Sequence, residues 1–137
     1  MTGEDMKDPH HALEERVAQL ACWKAPVELA PLKGGLTNLS FVVTHRGEKF
    51  VARCGADIPV HHVFRDRERA ASMAAFEAGL SPEIIHAEAG ITVLRFIDGR
   101  TFGEADMRAN VGRLATLLKD CHSKVARHVR GPANTFW

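Results

Sequence analysis

No apolar run in this 137-residue chain approaches the ~20 residues needed to cross a bilayer, so no membrane-spanning helix is expected. Neither sign of charge dominates: 18 Lys and Arg stand against 17 Asp and Glu, for a net charge of +1. A basic footprint is missing, and neither nucleic acid nor a membrane is expected as a partner. Cysteine is scarce. Cys22, Cys54 and Cys121 are odd in number and far apart, which suggests neither a disulfide framework nor a zinc site and fits a reducing cytosol. The first residues, Met1-Thr2-Gly3-Glu4-Asp5, carry acids where a secretory leader needs bases and then an apolar stretch. A cytoplasmic location is the expectation. Internal repeats and low-complexity segments are absent too. What remains is 45% apolar and 26% charged, a globular composition with length enough for one sizeable core.

Residues 1–8 are polar and expected to be loose. From His10 to Trp23, Leu13, Val17, Leu20 and Ala21 recur at helical spacing, and Pro26 ends the pattern. Three short apolar runs follow, Val27–Leu32, Leu39–Thr44 and Lys49–Cys54. Gly34-Gly35 and Arg46-Gly47-Glu48 separate them, which predicts an antiparallel meander. Phe64–Ala78 is rich in Ala, Glu and Arg and predicts a helix closed by Gly79. Glu83–Ala89 and Ile91–Ile97 then form a second hairpin around Gly90. Thr101 with Glu104 makes a capping-box pattern before a helix from Glu104 to Lys124. Strands in runs with an inserted helix indicate an α+β fold, not a parallel α/β sheet.

Three constellations carry chemistry. The first is Lys33-Gly34-Gly35-Leu36-Thr37-Asn38-Leu39-Ser40, between the first two strands. Paired glycines let backbone N–H groups approach phosphate oxygens, and Thr37, Asn38 and Ser40 add polar donors. No Lys-Ser/Thr pair or helix follows, so it is not a Walker A loop, and an ordinary hairpin turn is the plain alternative. The second is Arg53, which alternation places on one face with Val51. On a half-buried sheet this cation needs an anion, whereas on an edge strand it would simply face water. The third is Glu68, aligned at helical spacing with Phe64, Ala71, Ala75 and Ala78. It either turns toward the core or pairs in solvent with Arg65 or Arg69.

In order, these are a glycine-rich hairpin, a cation on the third strand, an acid on the next helix, then two strands and a linker. That is the layout of a kinase N-lobe. Gly34-Gly35-Leu36-Thr37-Asn38 resembles the G-G-[ILM]-[ST]-N loop of the choline/ethanolamine kinase and aminoglycoside phosphotransferase family. Phe50-Val51-Ala52-Arg53-Cys54-Gly55 is similar to its third strand, and Glu68 falls where the family keeps a pairing glutamate. Ala78-Gly79-Leu80-Ser81-Pro82-Glu83-Ile84-Ile85 resembles its link into the fourth strand. Leu94-Arg95-Phe96-Ile97-Asp98-Gly99 resembles its hinge, and Leu117-Leu118-Lys119-Asp120-Cys121-His122-Ser123 the helix that follows.

The resemblance implies a protein-kinase-like N-lobe, α+β, with a five-stranded antiparallel sheet, one inserted helix and flanking helices. It implies an N-terminal helix and tail over 1–26, a nucleotide-binding lobe over 27–99, and a post-hinge helix opening a second lobe over 100–137. ATP would sit with Gly34, Gly35, Thr37, Asn38 and Ser40 at its phosphates and Val51 on the same face as Arg53. Arg53 would neutralise the phosphates, Glu68 would orient Arg53, and Leu94, Arg95, Phe96 and Ile97 would hold adenine. The acceptor would be a small hydroxylated molecule, with choline the leading guess.

The family's catalytic loop, H-x-D-x-x-x-x-N, is absent. Phe64-Arg65-Asp66 imitates its start, but Ala71 stands where Asn is required. Mg2+ ligands are expected in a second lobe, so no catalytic or metal-binding residue is expected here, and the chain alone is expected to be inactive. A non-catalytic nucleotide- or protein-binding module is the alternative. His10-His11 and His61-His62 are adjacent pairs that do not converge as ligands would. Self-association is expected through Ile97, Met107, Leu114, Leu118, Phe136 and Trp137.

Overall fold

The computed structural model describes residues 9–34 and 38–131. Gly35, Leu36, Thr37, the N-terminal tail and the aromatic pair Phe136 and Trp137 lie outside the described residues. Two compact units interleave along the chain. A sheet unit runs to Gly55 and resumes over Ile85–Arg95, and a helical unit comprises Ala56–Ile84 and the chain from Phe96 onward.

The sheet unit begins with α1 (Pro9–Ala18), followed by β1 (Val27–Leu32), β2 (Leu39–His45) and β3 (Glu48–Cys54). β4 (Ile84–Glu88) and β5 (Ile91–Arg95) complete a five-stranded sheet in the order β1-β2-β3-β5-β4. The β2–β3 connection is a two-residue loop closed by His45 and Glu48, with Arg46 at φ 51° and Gly47 at φ 82°. Two positive φ values suit the right-handed twist of the flanking strands, which is why Gly stands second.

Period-two alternation sorts the strands into two faces. One carries Phe41, Val43, Phe50, Ala52, Cys54, Ile91 and Val93, all buried, and packs with Val17 of α1 and Leu20. Helical spacing places Leu13 against the same cluster.

The N-terminal helix is shorter than its periodicity predicts, stopping at Ala18 where Trp23 was expected to mark its end. The Trp23 indole Nε1–H donates to the Val17 carbonyl at 2.8 Å, satisfying an acceptor that a longer helix would have used. The ring also lies 5.4 Å from both Phe50 and His45, so it covers the sheet as it caps the helix.

In the helical unit, α2 (Arg65–Glu77) has the Arg65 N–H bonded to Asp57 Oδ1 at 2.8 Å, a cap supplied from eight residues upstream. It ends as its glycine predicts. Gly79 takes φ +77°, its N–H bonds the Phe76 carbonyl, and the Leu80 N–H bonds that of Ala75. That reciprocal pair is a Schellman motif, which needs the left-handed residue.

Two expectations for the C-terminal segment need correction. The helix from Glu104 to Lys124 is two helices, α3 (Glu104–Ala109) and α4 (Val111–Lys124). Asn110 interrupts it at φ −120°, its side-chain amide donating to the Asp106 carbonyl. Asparagine competes in this way for backbone groups that would otherwise continue a helix. The cap is not the Thr101/Glu104 box either. Gly103 is the N-cap, its N–H donates to Asp106 Oδ2 at 2.8 Å, and Arg100 grips the same carboxylate. The second strand of the second hairpin, expected to run to Ile97, stops at Arg95.

Candidate nucleotide-binding face

The second face of the sheet follows from the strand register. Ser40 on β2 lies opposite Arg53 on β3, and Arg53 lies opposite Thr92 on β5. One step along the strands, Val42 opposes Val51 and Val51 opposes Leu94. Opposed residues in antiparallel strands share a face with Cβ atoms about 4.5–5.5 Å apart. Two rows result, Ser40–Arg53–Thr92 and Val42–Val51–Leu94, spaced by two residues of strand, or about 6.7 Å.

Arg53 is not on an edge strand, because β3 lies in the middle of the sheet with β2 and β5 on either side. It is half-buried. Within the sheet unit, no described residue forms an ion pair or hydrogen bond with its guanidinium, and the hydroxyls of Ser40 and Thr92 have no protein partner there either. Among the described residues, no side-chain polar atom is both buried and unpartnered, so these three groups retain access to solvent. A half-buried cation flanked by two donors and no acid is an arrangement for an anion. In the neighbouring row the half-buried Val42 and Val51 offer apolar surface to a flat ring, whereas Leu94, 6% exposed, is already covered.

Ser40, Val51, Arg53 and Leu94 are therefore brought together. Gly34 takes φ +116°, and a Cβ there would meet nothing within 4 Å, so the backbone angle is what calls for glycine. Asn38 is half-buried at the far side of the loop, and Gly35 and Thr37 lie outside the described residues. Arg95 is exposed at the end of β5. Phe96, half-buried, and Ile97, 66% exposed, begin the second stretch of the helical unit. Glu68 lies on α2 in that unit, where Arg65 Nη1 holds its Oε2 at 2.9 Å. Arg65 also donates from Nε to the Ala56 carbonyl, so the pairing with Arg65 read from the sequence is present.

Two members of the face were not singled out from the sequence. Val42 was legible, since alternation from Ser40 reaches it. Thr92 was not, because only the β3–β5 register sets it beside Arg53.

A recess of about 300 Å3 opens at the outer ends of β1 and β2, lined by His10, Glu14, Lys33, Asn38 and Ser40 among others. Arg53, Val51 and Leu94 do not line it, and its mixed charges favour no ion of one sign. Cys54, next to Arg53 in sequence but on the core face, is 1% exposed. Burial pushes its thiol up to about 11, leaving it a packed hydrophobe, not a redox sensor. Among the described residues, no three His, Cys, Asp or Glu side chains converge as metal ligands would.

No family model matches the chain, and no curated protein matches it by sequence. Among solved structures, an ethanolamine kinase of Plasmodium vivax is similar, with a TM-score of 0.60 and 20% identity. The match covers 72% of this chain and 27% of that kinase. At this identity the similarity is one of fold. The chain is α+β, with a five-stranded antiparallel sheet and accompanying helices in a kinase-like N-lobe arrangement. Among the described residues, no helix is long and apolar enough to cross a membrane.

Proposed function

We propose that this chain is the ATP-binding lobe of a small-molecule kinase that transfers the γ-phosphoryl group of ATP to a hydroxyl of choline, ethanolamine or a related small molecule. The observation that carries this reading is the pair of rows on the second face, with Arg53 between two hydroxyls and an apolar row beside it. Arg53 would neutralise phosphate, Ser40 and the glycine-rich loop would donate to it, and Val42 and Val51 would take the base. The 137 residues contain no H-x-D-x-x-x-x-N, so the role assigned to them is binding and orientation of nucleotide. A base for the acceptor hydroxyl and the Mg2+ ligands would come from a second lobe.

Calorimetric titration of the purified chain with ADP tests the reading. Saturable binding is expected, and Arg53→Met should weaken it by about 10- to 100-fold, the worth of a charge-assisted hydrogen bond. Arg46→Ala, in the exposed β2–β3 turn, should leave it unchanged. No binding, or equal losses from the two substitutions, would sink the proposal.

A further inference from the structure

We propose that Thr92 is a phosphate-binding residue, its hydroxyl donating to an oxygen of the anion that Arg53 neutralises. This rests on the nucleotide-binding reading above and extends it to a residue outside the loop and hinge.

The register sets Thr92 directly opposite Arg53, on the flank away from Ser40. The row runs from apolar Leu32 on β1 through a hydroxyl, a cation and a second hydroxyl. Neither Thr92 nor Ser40 bonds to Arg53 in the structure, so the hydroxyls do not serve to hold the guanidinium. Both residues are half-buried, and neither oxygen is shut off from solvent. A strand position facing a cation could hold an acid, which would neutralise Arg53 internally and close the site to anions. Threonine keeps a donor there without adding negative charge. It also keeps the β-branched shape that suits β5, next to β3 and inside the edge strand β4. An anion on Arg53 could thus be gripped from both neighbouring strands.

The bland alternative is that Thr92 is only a strand former. Thr92→Val separates the two, since it keeps the shape and removes the hydroxyl. Calorimetric titrations with ADP and with adenosine supply the readout, and melting curves confirm that each variant is folded. Thr92→Val is expected to lower ADP affinity about tenfold, the worth of one hydrogen bond to a charged group, with adenosine affinity unchanged. Thr92→Ser should restore most of the ADP affinity even if the valine variant folds poorly. Thr44→Val, on the same face but two rows away from Thr92, should change neither. If Thr92→Val binds ADP as the parent does, or loses ADP and adenosine alike, the assignment is overturned. If the parent chain binds neither ligand, the nucleotide-binding reading falls, and this assignment with it. If the parent binds both and only the Thr92 result fails, the broader reading stands.

Discussion

In the sheet unit, nine side chains from α1, the turn after it and three strands close a core in which none is more than 5% exposed. Among the described residues of the helical unit, only Ala74 is buried to that degree. There Val111 is 64% exposed, Leu118 59% and Leu117 49%, and no residue of α4 is buried. The two units use their apolar residues differently. A pleated sheet presents alternate residues of several strands to one helix, so a few short segments suffice to build a dry interior. Helices as short as α2 and α4 each bury only a stripe, and they need a facing surface to do so. The sheet unit supplies its own facing surface. In the helical unit, Glu77 with His128 links α2 to the turn after α4, and Arg100 with Asp106 links the start of α3 to the chain before it. Such exposed pairs contribute little stability.

The sharpest test of this contrast is a pair of truncations followed by urea denaturation. Phe50→Ala removes a 5%-exposed ring from the sheet core and should cost about 3–5 kcal/mol. Leu118→Ala, on an exposed helix face, should cost less than about 0.5 kcal/mol. Equal losses would mean that α4 is covered in solution and that the contrast is false.

A smaller effect concerns that same face. Val111, Leu114 and Leu118 form a stripe at helical spacing, and burying several hundred Å2 of it would be worth several kcal/mol at about 25 cal/mol per Å2. A net charge of +1 opposes association little. We expect the scattering mass to rise with concentration, and Leu118→Glu to suppress the rise without lowering the melting temperature. A chain that stays monomeric at high concentration would remove self-association from the account.

The smallest expected effect is acid sensitivity in the sheet unit. The His86 imidazole and the Arg16 guanidinium both contact Glu88, in that order of weight, and hold its carboxyl below the usual carboxylate range. Arg16 reaches Glu88 from α1 at 3.2 Å and also donates to the Ala89 carbonyl, so the pair ties α1 to the β4–β5 hairpin. Because the folded pKa is depressed, its contribution is present above the ordinary glutamate pKa and is lost as pH falls through the folded one. The melting temperatures of the parent and Glu88→Gln should therefore converge as pH drops below the usual carboxylate range. A gap that persists unchanged into acid would show that the contact is not electrostatic.

Much of the sheet was legible in the sequence. The strands appear within one or two residues of their periodic runs, because alternation and glycine turns are local properties of the chain. Gly79 and the Arg46-Gly47 turn acted through backbone angles that only a few residue types tolerate. Val51 and Arg53 shared a face by parity alone. The sequence could not decide between an edge and a central position for β3, which is what makes Arg53 half-buried and not fully exposed. Nor could it pair Thr92 with Arg53, since β3 and β5 are some forty residues apart and their register depends on packing the whole face. The choice of Glu68 for Arg65, one turn away on α2, and the break at Asn110 were likewise settled by competition among groups that folding brings together. Local periodicity and backbone stereochemistry determined which elements form. Which neighbours they meet, and so which polar groups are left to face a ligand, was decided only by strand order and register.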